Sequence, residues 1–291
     1  MTQTAPPPDI PRLRARRRND HEVQLGMGER RGTILSGLSD EETRAITELG
    51  PLTAFQWSRA TSTRPPSARW DHIVELLGRA AHEVTQHAGR TGTVIVAGSG
   101  PIPDALAGVL TSIAGRVITE THEIHQLEQG VAGPAHQPLD LVVLPCQEGL
   151  APPMYAGWQR LRIPHLPVVV EATQVMIGPL VRPGTHGPCL RCLDRHRTAR
   201  DPHWPDLVTQ LDSAGPLPGE VTTAPDLVAM TAGLVGLTTR GLLAGRPLPA
   251  GTCLSVASPR PQVQYHVWTP HPECACMRAD RSDTRGAVSR A

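Results

Sequence analysis

Apolar and polar positions change period along this chain, and the change predicts a small α+β module followed by a larger α/β body. From residue 19, "EVQLG" and "GTILSG" alternate as two short strands joined by the turn "MGERR". "LSDEETRAITELG" then opens a helix: Ser39 and Glu42 stand at capping-box spacing, and Gly50-Pro51 closes it. A second helix is predicted over "SARWDHIVELLGRAAHEV", where Trp70, Ile73, Leu77, Ala80 and Val84 recur at helical spacing. Residues 19–90 therefore read as a winged-helix-like module, and residues 1–18 before it as a disordered arm.

Past residue 91 the runs become more apolar. "TGTVIVAGSGPIPDALAGVLTSIAG" reads as strand, Gly turn and helix, and "RVITET" and "LDLVVLPCQEG" supply further strands. That order predicts a parallel, Rossmann-like sheet with helices on both faces. "LPVVVEAT" and "VMIGPLVRPG" extend it, the first wholly apolar as a strand buried on both faces must be. "APDLVAMTAGLVGLTTRGLLAG" is apolar on most faces, which predicts a helix covered by the sheet or by a partner subunit. "GTCLSVAS" and "QVQYHVWTP" close the body, which spans residues 91–277, and 278–291 form a disordered tail.

Composition narrows the chemistry. The formal net charge is +1, so no one-sided excess draws the chain to nucleic acid or to an acidic membrane. All 28 basic residues are Arg, which excludes a Schiff-base Lys and a P-loop Lys. The N-terminus is Pro- and Arg-rich without an apolar signal core, and no apolar run reaches membrane-spanning length. A cytoplasmic protein with reduced cysteines is expected.

The first Gly turn offers Gly98, Ser99 and Gly100, but Pro103 replaces the third Gly of a dinucleotide fingerprint. Pro101 and Pro103 each remove an N–H from the helix start where a phosphate seeks donors. Glu120, about 20 residues past Gly100, stands where an acid meets a ribose hydroxyl. A solvated strand-end Glu and a nicotinamide or ATP contact both fit it.

Six cysteines remain. Cys189 and Cys192 form a CxxC, and Cys274 and Cys276 a distant CxC. Such pairs suit a tetrahedral zinc whose sphere four thiolates fill, making the metal structural. Redox dithiols and free thiols are the alternatives. A redox CxxC would open a helix after the first strands of a βαβ unit, a position this one does not take. His196 and His271 are substitute ligands should the CxC present one sulfur. Cys253, in an apolar strand, reads as core, and Cys146, at a strand's C-terminal end, as a pocket-lining thiol rather than a nucleophile.

The Gly turn, "VVLPCQEG", "LPVVVEATQVMIGPLVRPGTHGPCLRCLDRHR" and the late Cys pair together resemble the ThiF/MoeB superfamily of ubiquitin-activating-type proteins. The segments "GPLVRPGTHGPCLRCL" and "TPHPECAC" are most similar to its actinobacterial branch of ThiF-like cyclodehydratase and leader-peptide-binding proteins, which serve thiazole/oxazole-modified peptide pathways. The resemblance implies a homodimer, a structural zinc on Cys189, Cys192, Cys274 and Cys276, and a nucleotide loop at Gly98 and Gly100. In active members it also implies ATP-dependent adenylation of a protein C-terminus.

Active members carry an Asn and a phosphate-binding Arg after the second strand, where this chain reads "TETHEIHQLEQG". They also have a metal-binding Asp after the fourth strand, where it reads "LPCQEG". The expected function is that of a zinc-stabilised protein, degenerate in nucleotide binding. It would bind a precursor peptide or protein partner through residues 19–36 and present it to a separate ATP-dependent cyclising enzyme. The alternatives are an adenylyltransferase, with Glu120 on the ribose and Arg160, Arg162, Arg195 or Arg197 on the phosphates, and an NAD(P)-dependent enzyme.

Overall fold

The computed structural model describes residues 12–27, 32–57, 68–85, 92–130, 138–213, 223–259 and 262–276. The turn "MGERR" falls almost wholly outside these, as do the tail 278–291 and all but the last residues of the arm. The chain divides into two compact units at residues 88 and 89.

The first unit is built on an antiparallel sheet of β1 (Leu13–Asn19), β2 (Glu22–Leu25), β3 (Thr33–Ser36) and β4 (Pro51–Leu52), in the order β3-β2-β1-β4. Three helices pack with it: α1 (Asp40–Glu48), α2 (Ala54–Trp57) and α3 (Ala68–Thr85). Strands β2 and β3 and helices α1 and α3 lie where periodicity put them.

Strand β1 does not. It occupies the segment read as a disordered arm, and it is an interior strand, paired on both sides. The reason is an alternation hidden under charge. Ala15 is buried and Leu13 packs against the core of this unit, while Arg14, Arg16 and Arg18 point to solvent. Arg17 is held by both Asp20 and Asp40.

The second unit is a seven-stranded sheet, β11-β10-β9-β8-β7-β5-β6. Strands β5 (Thr93–Val96), β6 (Arg116–Ile118), β7 (Leu139–Gln147) and β8 (His165–Val170) run parallel. Strands β9 (Gln174–Ile177), β10 (Thr252–Ala257) and β11 (Gln262–Val267) continue antiparallel.

Alternation sorts the central strands onto two cores. Val94, Val96, Leu141, Val143, Leu166 and Val168 face helices α4 (Pro101–Thr111) and α9 (Pro225–Leu243). Ile95, Val142 and Leu144 face the opposite layer: α5 (Thr121–Glu128), α6 (Pro152–Arg160) and α7 (Leu190–Arg200). Helix α8 (Trp204–Ser213) follows α7. Burial on both sides is why these strands carry almost no polar residue.

Helix α9 is long and apolar enough to cross a membrane by composition. Here it packs along α4 and over β9 and β10. Its buried Thr231 and Thr238 return their hydroxyls to the Leu227 and Leu234 carbonyls, so these two need no partner from the sheet.

Candidate metal centre

The CxxC sits at the start of α7. Cys189 is the N-cap, with extended backbone, and the Cys192 N–H donates to the Cys189 carbonyl at 2.9 Å. The pair thus does open a helix, contrary to the sequence reading, but a late helix that follows β9 instead of the first strands of the sheet. The CxC arrives from the far end of the chain, just beyond β11, where the Cys274 N–H closes a turn onto the His271 carbonyl at 2.9 Å.

Gly251 helps set that approach. At φ +80°, it lets the start of β10 lie against Trp268, where a Cβ would stand 2.0 Å from the carbonyl oxygen.

The four sulfurs lie within 4.8 Å of one another. Sγ–Sγ distances are 3.8 Å for Cys189–Cys192, 3.6 Å for Cys189–Cys274 and 3.4 Å for Cys192–Cys276. A tetrahedron with metal–sulfur bonds of about 2.3 Å has edges of about 3.8 Å, whereas a disulfide is about 2.05 Å long. The spacing is that of a four-thiolate cage, and this donor set suits zinc and leaves no coordination position open.

The cage holds its thiols unequally: backbone contacts from His271 and Cys189 favour the thiolate of Cys192, while burial disfavours it at Cys189 and Cys276. The Cys192 thiol is held below its ordinary value, chiefly by its hydrogen bond with Cys189, whose own thiol is pushed up by the same bond and by burial. One shared ion relieves that competition by replacing the protons.

Protein contacts repeat the clasp. His196 Nε2 meets the Thr269 carbonyl at 2.9 Å, and Arg195 pairs with Glu273 at 3.3 Å. Arg200 lies 5.3 Å from the Trp268 ring and Arg197 4.7 Å from Trp204. His196 and His271 are thus neighbours of the cage and not part of it, their rings meeting edge-on at 4.8 Å. Trp204 and Tyr155 both donate to Asp194. This aromatic and guanidinium surround escaped the sequence reading, because no spacing rule joins α7 to residues 268–273.

The Gly turn lies at the other candidate site, at the C-terminal ends of β5, β7 and β8. Gly98 and Gly100 take φ of +87° and +113°, and α4 starts directly at Pro101. Of the first-turn donors, Pro101 and Pro103 have none and Asp104 N–H is spent on the Gly100 carbonyl at 3.0 Å. The cavity here measures about 180 Å³ and is lined by Gly98, Ser99, Pro103, Pro145, Cys146 and Val170 among others. Pockets for drug-sized ligands run from about 300 Å³ upward.

Glu120 is the N-cap of α5, exposed at the end of β6 and absent from that lining. Cys146 is in the wall, its thiol pushed up to about 12 by burial. Cys253 is fully buried in β10. None of Arg160, Arg162, Arg195 and Arg197 lines this cavity. Arg160 and Arg195 border a separate groove of about 930 Å³ between α6 and α7.

The fold matches that of the heterocyclase TruD with a TM-score of 0.60 at 16% identity, over 94% of this chain and 43% of that one. A heterocyclase in complex with substrate and cofactor matches with a TM-score of 0.58 at 16% identity, over 90% of this chain and 39% of the other. The chain has a ThiF-like fold. E. coli MccB with ATP matches along nearly its whole length, 97%, with a TM-score of 0.51 at 12% identity over 91% of this chain. The chain thus spans about two fifths of the length of the two heterocyclases. No family model matches the sequence, and no curated protein does.

Proposed function

We propose that this chain is a zinc-stabilised, ThiF-like component of a peptide-heterocyclising system that binds a precursor peptide and leaves nucleotide chemistry to a separate ATP-dependent enzyme. The observation that carries the reading is the Gly-turn cavity: about 180 Å³ and walled by prolines, two of which remove N–H donors from the first turn of α4. The resemblance of the fold to heterocyclases, one with a bound substrate, supports the pathway class.

In this reading the first unit is the winged-helix-like recognition module. Its β3 is an edge strand lying beside α3, with Leu35 packed on the core and Ile34 nearly half exposed. An extended peptide added to β3 would gain main-chain hydrogen bonds from the strand and side-chain contacts from α3.

Fluorescence anisotropy of a labelled precursor peptide with the full chain tests this, with nucleotide omitted. Saturable binding is expected, weakened at least about 10-fold by Leu35→Pro, which puts a proline in the edge strand. ATP–pyrophosphate exchange stimulated by peptide would overturn the non-catalytic part and establish an adenylating enzyme instead, the reading that the likeness to MccB with ATP favours.

A further inference from the structure

The groove of about 930 Å³ between α6 and α7 belongs to neither the metal cage nor the Gly turn. Its volume lies at the upper end of the range for ligand pockets. Its walls run along α6 from Pro152 to Arg160 and along α7 from Arg191 to Ala199, all within the described part of the chain. That stretch of α6 is about 12 Å long, the span of about four residues of extended chain. A short peptide segment fits such a trough.

Charge selects which segment. The two carboxylates of the lining are already engaged: Asp194 accepts from Tyr155 at 2.8 Å and from Trp204 at 3.4 Å, and Glu273 pairs with Arg195 at 3.3 Å. Arg160, in the last turn of α6, and Arg191, in the first turn of α7, meet no carboxylate among the described residues. Arg160 makes one long contact, 3.3 Å to the Glu128 carbonyl. Arg195 gives Glu273 a single N–H bond, and its Nε is buried without a partner among the described residues. A guanidinium offers five N–H donors in a planar fork that fits a carboxylate, so all three are under-used.

The undescribed segments of the second unit do not match this lining in composition. Residues 277–291, which follow the CxC, hold four Arg against two Asp, residues 131–137 hold no acid, and 214–222 hold Glu220 alone. The complement to Arg160 and Arg191 must come from another molecule.

We infer that the groove binds an acidic peptide segment of a partner, with carboxylates on Arg160 and Arg191 and its backbone over the small wall formed by Ala156 and Ala199. His271 and Glu273 line the same groove directly ahead of Cys274, so an ion holding Cys274 would hold this wall as well.

Fluorescence anisotropy of labelled hexaglutamate with the full, zinc-loaded chain reads the site, with labelled hexaglutamine as the neutral control. Saturable binding of hexaglutamate alone is expected, weakening as salt is raised. Replacing both arginines, Arg160→Ala with Arg191→Ala, should raise the dissociation constant at least about 10-fold. Circular dichroism checks that the double variant folds. Ala156→Trp covers its failure to fold: it fills the groove, keeps every charge and should weaken binding by a similar factor. Arg14→Ala with Arg16→Ala, on exposed positions of β1, should leave binding unchanged. Absence of hexaglutamate binding overturns the inference, and so does equal binding of hexaglutamine. Binding lost with Arg14 and Arg16 but indifferent to both groove variants overturns it too, as the mark of attraction to any exposed arginine. Leu35→Pro should leave the groove's binding intact, so this inference and the precursor-peptide reading at β3 can fail separately.

Discussion

Cys189 chiefly draws the Cys192 thiol below its ordinary value and Arg69 the Glu42 carboxyl below its own, with different consequences. At the cage, a serine lacks the soft thiolate that zinc prefers. Cys274→Ser should therefore abolish stoichiometric zinc, measured by elemental analysis of the purified chain, while Cys146→Ser, remote from the cage in the wall of the other cavity, should keep it. Glu42 completes the capping box of α1 with Ser39 and takes a two-pronged grip from Arg69, at 2.7 and 3.1 Å. Arg69 chiefly holds its carboxyl at about 2, below the ordinary 4.5. A depressed carboxyl contributes its full stabilisation above the unfolded value and loses it as pH falls from about 4.5 toward 2. Thermal melts of the first unit should weaken across that window, and Glu42→Gln should flatten the dependence. Loss of the cap and ion pair in Glu42→Ala should cost about 1–2 kcal/mol at neutral pH.

Among elements, β1 shows how an interior strand can look like a tail. Removing residues 1–18 would take away the strand between β2 and β4 and expose Val23, Leu25 and Trp57, all now buried. A chain so shortened should lose the cooperative unfolding of its first unit and the peptide binding proposed for it, seen by calorimetry and anisotropy; a truly dispensable arm would leave both intact. What the sequence made legible was local. The Ser39–Glu42 cap, the alternation of β2 and β3, the apolar runs of β5, β7 and β8, and the CxxC and CxC spacings each announce themselves within a few residues. Of the elements that went unread, two owe their stabilisation to residues far along the chain. In β1, arginines outnumber the anchors Leu13 and Ala15, and only pairing with β2 and β4 makes the alternation count. In α7, "LRCLDRHRTAR" has no continuous apolar stripe. It is held at its start by buried Cys192 and Leu193, and along its length by Arg197 and Arg200 over Trp204 and Trp268.

For the molecule as a whole, the two units should respond differently to metal. The four-cysteine cage belongs to the apolar layer that also buries Tyr155, Trp158, Leu190 and Leu193, so an ion bound there would stabilise the second unit from within its core. Trp57, Trp70 and the rest of the first unit's core lie in a separate cluster. Binding to the folded state alone stabilises by about 4 kcal/mol when free metal exceeds its dissociation constant by about 1,000-fold. For a unit of about 200 residues that corresponds to a melting shift on the order of 10 °C. Calorimetry of the full chain with a zinc chelator should therefore lower one transition by roughly this amount and leave the other in place, and restored zinc should reverse it. The ties between α7 and residues 268–273 that need no metal, each worth about 0.5–1.5 kcal/mol, should leave the chelated unit loosened at its C-terminal segment before its sheet opens. Proteolysis confined to that segment in the chelated protein would mark this order, and cleavage starting within β5–β8 would contradict it.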